Sequence, residues 1–264
     1  MIKFFLNNKK VVAKDEETIW AVAKREGITL PHLCFADKPG YRADGNCRAC
    51  MVSIEGERVL SASCIRKPTE GMKVLTNDER SIKSRKMVLE LLVTDQPDRE
   101  TSHDPDSHFW KIASDIDVKR SRFEKREKKI VPCEDSSHVA MSVNLDACIH
   151  CNLCVRACRE VQVNDVIGMG NRGHHSKVVF DFNDPMGDSS CVSCGECVQA
   201  CPTGALMESN LLDDNGTKNV KPDRKVDSLC PYCGVGCQLT YNIQNEKIIS
   251  VDGRDGPANK NRLC

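Results

Sequence analysis

Sixteen of the seventeen cysteines fall into four sets of four, and no other feature constrains the folding of this chain so tightly. The sets are Cys34/Cys47/Cys50/Cys64, Cys148/Cys151/Cys154/Cys158, Cys191/Cys194/Cys197/Cys201 and Cys230/Cys233/Cys237/Cys264. Each contains a C-x2-C step, which puts two thiolates on one turn around a metal centre. Each set has the spacing of an iron–sulfur cluster site. Four such sites on 264 residues imply a relay of electrons. Cys133, beside Pro132, is left over and reads as a spectator thiol.

Composition agrees with several small modules rather than one large core. Only 5% of residues are aromatic, and the mean hydropathy is −0.42. Modules this small gain folding free energy from their metal centres. The formal net charge is zero, so nothing electrostatic asks for nucleic acid or an anionic membrane. The N-terminus has too short an apolar run for a signal peptide, and the longest later apolar stretches fall far below a membrane span. The expected location is the cytoplasm. There, clustered cysteines read as metal ligands rather than disulfides.

Residues 3–6 and 11–13 flank Asn7-Asn8-Lys9-Lys10, a hairpin pattern. Thr18 then offers an N-cap to a helix over Ile19–Arg25, which Gly27 stops. Two strands and a helix open a β-grasp ferredoxin. The first ligand set follows as C-x12-C-x2-C-x13-C, a pattern for a 2Fe–2S cluster wrapped by the turn-forming loop 40–46. Residues 49–54 and 58–61 are strand candidates. A four-cysteine zinc site is the bland alternative, but such sites favour two short C-x-x-C knuckles.

Residues 79–93 carry Ile82, Met87, Leu89, Leu91, Leu92 and Val93 among basic residues and read as an amphipathic helix. Residues 94–110 contain no cysteine. His103 and His108 are there, but two imidazoles alone do not hold a cubane, so both read as surface or packing residues. The basic run 119–129 reads as a solvated linker or docking surface.

The second and third sets are both C-x2-C-x2-C-x3-C, and the third ends in Pro202. In this bacterial-type arrangement the fourth cysteine of each run crosses to the other cluster. One 4Fe–4S cluster then takes Cys148, Cys151, Cys154 and Cys201, and the other takes Cys191, Cys194, Cys197 and Cys158. Each fourth cysteine is expected to start a short helix, with 155–161 and 203–207 as candidates. Residues 178–182 look like a strand and 184–187 like a turn. The fourth set is C-x2-C-x3-C-x26-C, and between its last two ligands 238–244 and 247–252 alternate as strands around Asn245-Glu246.

Two segments carry a resemblance. Gly45-Asn46-Cys47-Arg48-Ala49-Cys50-Met51-Val52 looks like the large iron–sulfur subunit of respiratory complex I and its relatives. In those relatives a histidine and three cysteines follow; here that segment lacks its cysteines, and its cluster is expected to be missing. Cys230-Pro231-Tyr232-Cys233-Gly234-Val235-Gly236-Cys237 resembles the N-terminal cluster domain of molybdenum and tungsten bis-pterin oxidoreductases. The order of modules resembles the N-terminal part of the alpha subunit of soluble, NAD-dependent formate dehydrogenases.

The resemblance implies an α+β chain. It comprises a β-grasp 2Fe–2S ferredoxin domain over 1–78 and a helix and linker over 79–138. A bacterial-type domain with two 4Fe–4S clusters follows over 139–217, and a small β-rich 4Fe–4S domain of the bis-pterin oxidoreductase type over 226–264. It also implies one 2Fe–2S and three 4Fe–4S clusters, and a molybdenum or tungsten bis-pterin centre in a downstream metallopterin domain. FMN and NAD would sit on a separate flavin subunit. The chain stops on its fourth-set ligand, Cys264, and is expected to be a fragment of a longer subunit or the product of a split gene. Two competing expectations are an iron–sulfur subunit of an NAD-linked hydrogenase or complex I relative, and a stand-alone multi-cluster electron carrier.

Overall fold

A computed structural model describes residues 1–125 and 134–264. Cys133 and the end of the basic run, 126–129, lie outside the described residues. The chain divides into two compact units. The first contains Met1–Ala36, Arg42–Asp95 and the stretch from His108 to residue 125; the second contains Asp37–Tyr41, Gln96–Ser107 and residue 134 to Cys264.

In the first unit, β1 (Ile2–Leu6) and β2 (Lys9–Ala13) pair antiparallel, with Phe4 opposite Val11. Asn7 and Asn8 both hold positive φ, 49° and 66°. That is the type I′ geometry whose twist matches the strands it joins, and asparagine tolerates it well. Phe4, Leu6, Val11 and Ala13 face inward at 4% exposure or less. Helix α1 (Ile19–Arg25) starts where the Thr18 side chain accepts the Ala21 N–H at 3.2 Å. It ends in a Schellman arrangement: Gly27 N–H donates to the Lys24 carbonyl and Ile28 N–H to that of Ala23. Gly27 sits at φ 79°, which a residue with a Cβ adopts at a cost.

Strands β3 (Met51–Ile54), β4 (Ser61–Ala62) and β5 (Lys73–Leu75) complete a five-stranded sheet in the order β2-β1-β5-β3-β4. The β1–β5 pair is parallel and the others antiparallel. Ile19, Val22 and Trp20 of α1 join Phe4, Val52 and Val74 in one apolar core. The strand expected over 58–61 is shorter and later than its composition suggests, because only Ser61 and Ala62 find partners on β3.

Helix α2 (Glu79–Val93) is capped by Asp78, which accepts the Ser81 N–H at 3.4 Å. Its buried face differs from the apolar stripe expected from the sequence. Ile82 and Leu91 are exposed at 50% and 49%, while Arg85 and Glu90 are buried. The buried charges have partners: the Arg85 guanidinium donates to the Thr76 carbonyl, and Glu90 pairs with Arg122 at 2.9 Å. Helix α3 (His108–Asp115) buries Phe109, Trp110, Ile112 and Ala113.

The second unit is built from short pieces. Strand β6 (Met141–Val143) pairs with a strand sixty residues on. Helix α4 (Leu153–Arg156) runs into a π-turn over Ala157–Val161. Strands β7 (Ile167–Gly170) and β8 (Lys177–Phe180) pair antiparallel. Helix α5 (Glu196–Ala200) precedes β9 (Leu206–Glu208), the partner of β6. This corrects the expectation that each fourth cysteine starts a helix. Cys158 lies inside the π-turn, and Cys201 caps the C-terminus of α5. Residues 203–207 are not helical, since Pro202 follows the cap at once and lacks the N–H to continue.

Strands β10 (Arg224–Leu229), β11 (Gln238–Gln244) and β12 (Lys247–Gly253) form an antiparallel sheet in that order. Asn245 and Glu246 join β11 to β12 with φ of 49° and 59°, a second I′ turn.

Candidate metal centres

The loop after α1 brings the first four thiols together. Cys34 is in hydrogen-bond contact with Cys47 and Cys64, and Cys64 also with Cys50. The Cys47 backbone N–H points at Cys34 Sγ from 3.4 Å. These contacts pull the Cys34 thiol well below its ordinary value and push Cys47 and Cys64 up. Sulfurs this close share negative charge poorly, and a bound cation relieves that repulsion.

The second and third sets exchange members. One cavity is lined by Cys148, Cys151, Cys154 and Cys201. The other is lined by Cys158, Cys191, Cys194 and Cys197. The two loops repeat each other in backbone detail. His150 and Asn152 have φ of 54° and 60°; Ser193 and Gly195, at the same places in the next run, have 60° and 70°. His150 N–H points at Cys148 Sγ from 3.4 Å, and Ser193 N–H at Cys191 Sγ from 3.4 Å. The left-handed residues curl each loop around its cavity, and the first of each pair, His150 and Ser193, aims its amide at sulfur. Burial pushes the thiols of Cys154 and Cys197 well above their ordinary value, helped by the neighbouring cysteines of the same cavity. Four thiolates in such a place need positive charge among them, and iron supplies it. Among the described residues no three His, Cys, Asp or Glu side chains converge on one ion-sized point. The eight thiols of these two sets line cavities, and this donor set fits polynuclear iron–sulfur clusters.

The fourth set is less enclosed. Cys230 N–H donates to the Cys237 carbonyl at 2.9 Å, while Cys233 and Cys264 are exposed. Asn259 ties the final segment to the start of β11. Its side chain accepts the Gln238 N–H at 3.0 Å and donates to the carbonyls of Gln238 and Arg262 at 2.9 Å each. That places the approach to Cys264 beside the residue following Cys237. Gly253 permits the arrangement, because a Cβ there would stand 2.5 Å from the Arg262 carbonyl oxygen and 2.8 Å from its nitrogen. Both are backbone atoms and cannot swing away. Gly253→Ala should therefore displace the final segment and lower bound iron by about four atoms per chain, with the other sites keeping theirs; iron analysis of the variant checks this.

Sequence reasoning missed a buried polar group beside the third set. Glu196, between Cys194 and Cys197, is fully buried and accepts the Tyr41 hydroxyl at 2.8 Å. Arg262, two residues before Cys264, lies 3.9 Å from the same carboxylate. Burial, then the Glu196 carboxylate, hold the Tyr41 phenol protonated far above its ordinary range. No local signal marks this trio, since its members are 155 residues apart for the first pair alone. His103 and His108 have packing partners: His103 Nδ1 contacts the Gly216 carbonyl at 2.8 Å and His108 Nε2 that of His32 at 3.0 Å.

Comparison with known proteins follows the same divisions. Residues 1–79 match a 2Fe–2S iron–sulfur cluster binding domain, 147–205 a 4Fe–4S dicluster domain, and 223–264 a molybdopterin oxidoreductase Fe4S4 domain. The chain is thus an iron–sulfur protein assembled from electron-transfer modules. Its relatives are oxidoreductase subunits. It is 30% identical to a subunit of the NADH-quinone oxidoreductase of Rhizobium meliloti over 100% of its length, and 29% identical to an NADP-reducing hydrogenase subunit of Solidesulfovibrio fructosivorans over 86%. It is 27% identical to a putative formate dehydrogenase of Staphylococcus haemolyticus over 91%. The chain spans only 30%, 39% and 28% of these three relatives' own lengths, in that order. In fold it resembles a chain of an NAD+-reducing NiFe hydrogenase, with a TM-score of 0.68 at 24% identity, covering 78% of this chain and 87% of that one. Among the described residues no helix is long and apolar enough to cross a membrane.

Proposed function

We propose that the chain is the iron–sulfur electron-transfer portion of an NAD-dependent formate dehydrogenase. One 2Fe–2S cluster is held by Cys34, Cys47, Cys50 and Cys64, in a domain whose mixed sheet and single covering helix support the β-grasp reading. Two 4Fe–4S clusters are held by the crossed sets, and a third by Cys230, Cys233, Cys237 and Cys264. When bound, these clusters supply one-electron transfer. The protein's part is to fix the thiolates, aim amides at them and keep water away.

The observation that carries the formate reading is the match of 223–264 to a molybdopterin oxidoreductase cluster domain, joined in one chain to the other two modules. Formate oxidation then belongs to a molybdenum or tungsten bis-pterin centre in a further domain, and NAD reduction to a flavin-bearing partner. The contact of Arg262 with Glu196 supports a relay order, since it sets the segment before Cys264 beside the third cysteine run. The hydrogenase subunit among the relatives favours a second reading, the iron–sulfur subunit of an NAD-linked hydrogenase.

The test is anaerobic reduction of the complex purified from its native host. Formate should bleach the cluster absorption within the time that NADH does. Bleaching by hydrogen and not by formate would select the second reading.

A further inference from the structure

The segment between the two cysteine runs holds a strained turn. Val163 and Asp165 have φ of 57° and 54°. The left-handed region is costly for most residues with a Cβ and most of all for a β-branched one such as Val163, while aspartate tolerates it. Val163 is 78% exposed, so packing of its side chain does not impose the conformation. Strain that persists without a packing cause points to what it positions.

What it positions is Asn164. Asn164 lies between these two left-handed residues and lines the Cys158/Cys191/Cys194/Cys197 cavity. Its side-chain amide Nδ2 is 3.9 Å from Cys194 Sγ. Its backbone N–H donates to the Cys158 carbonyl at 2.9 Å. Just past the turn, Val166 N–H donates to Cys158 Sγ at 3.3 Å. An Arg159–Asp165 ion pair closes the turn from outside. One short segment therefore delivers donors to thiols from both cysteine runs. At the other cavity the Thr203 hydroxyl lies 3.7 Å from Cys201 Sγ.

We infer that Asn164, posed by the strained 163–165 turn, sets the reduction potential of the cubane at Cys158, Cys191, Cys194 and Cys197. This rests on the reading that those four thiolates hold a cubane. Reduction adds negative charge to the thiolate sulfurs. A hydrogen-bond donor aimed at them stabilises the reduced form more than the oxidised one and raises the potential. Asn164 acts through the ligand Cys194, so it is a positioning residue.

The experiment is an EPR-monitored redox titration of Asn164→Ala and the isosteric Asn164→Asp in the cluster-loaded full chain. Asn164→Ala should lower the ratio of reduced to oxidised cluster at fixed potential about tenfold for one cubane signal, which is ~59 mV for one electron. Asn164→Asp, which replaces the donor with a charge, should lower it further. The other signals should not move, and iron per chain should stay at the wild-type value. Wild-type titration of every signal in both variants, at unchanged iron, overturns the inference and leaves the cluster assignment standing. Failure of that assignment looks different: the wild-type chain would itself show two cubane signals and lack the third.

Discussion

Replacing Cys158 with serine should destroy the cluster of the other cysteine run and spare the one in its own. The expected loss is about four irons per chain. The EPR signal of the cubane at Cys148, Cys151, Cys154 and Cys201 should persist, because all four of its cysteines line a cavity that Cys158 does not enter. Cys158 Sγ instead faces Cys191, Cys194 and Cys197 and accepts the Val166 N–H at 3.3 Å. A serine oxygen binds iron less well than a thiolate, and the vacated ligand position opens the cluster to solvent. The reciprocal variant, Cys201→Ser, should take the first cubane instead. Mössbauer and EPR spectra of the two variants separate the outcomes. Loss confined to the cluster of the mutated run would argue against the crossover.

The second large effect is Cys47→Ser. It should remove the 2Fe–2S signal and about two irons, and leave every cubane signal in place. Cys47 Sγ shares a hydrogen bond with Cys34 Sγ, and its replacement leaves the set with three thiolates where a two-iron cluster takes four. The surrounding fold should survive. The core of Phe4, Leu6, Ile19, Val22 and Val52 is at least 99% buried, and Cys47 is not part of it. The cubane ligands belong to the other compact unit. Far-ultraviolet circular dichroism close to wild type, with the 2Fe–2S signal gone, is the expected result. Simultaneous loss of all signals would show that the modules do not hold their clusters independently.

What was legible in the sequence had local causes. The turns at Asn7-Asn8 and Asn245-Glu246 need residues that tolerate positive φ, and the chain supplies asparagine in both. Thr18 and Gly27 bracket α1 because one accepts an orphan N–H and the other enters the left-handed region. The bounds read for residues 79–93 match α2, whose Asp78 cap the structure adds. The exchange of Cys158 and Cys201 was expected from the bacterial-type pattern of the two runs, and the two cavities are lined by thiols in that grouping.

The rest depends on partners far along the chain. Strand β6 is three residues long and pairs with β9 some sixty residues later, so no alternation announces it. All six residues of β10 are exposed, which removes the inward–outward pattern that marks a strand. Arg85 and Glu90 took buried places on α2 that apolar residues were expected to fill, since Thr76 and Arg122 pair with them. At the candidate sites, Glu196, Tyr41, Arg262 and Asn164 carry no motif. Their meaning comes from the thiols and charges that folding sets beside them.

Everything proposed for this chain depends on four sets of thiols holding one two-iron and three four-iron clusters. The decisive measurement is iron and acid-labile sulfide per chain on anaerobically purified protein. About 14 of each per chain are expected. Zinc in place of iron, with no sulfide, would refute the cluster assignment.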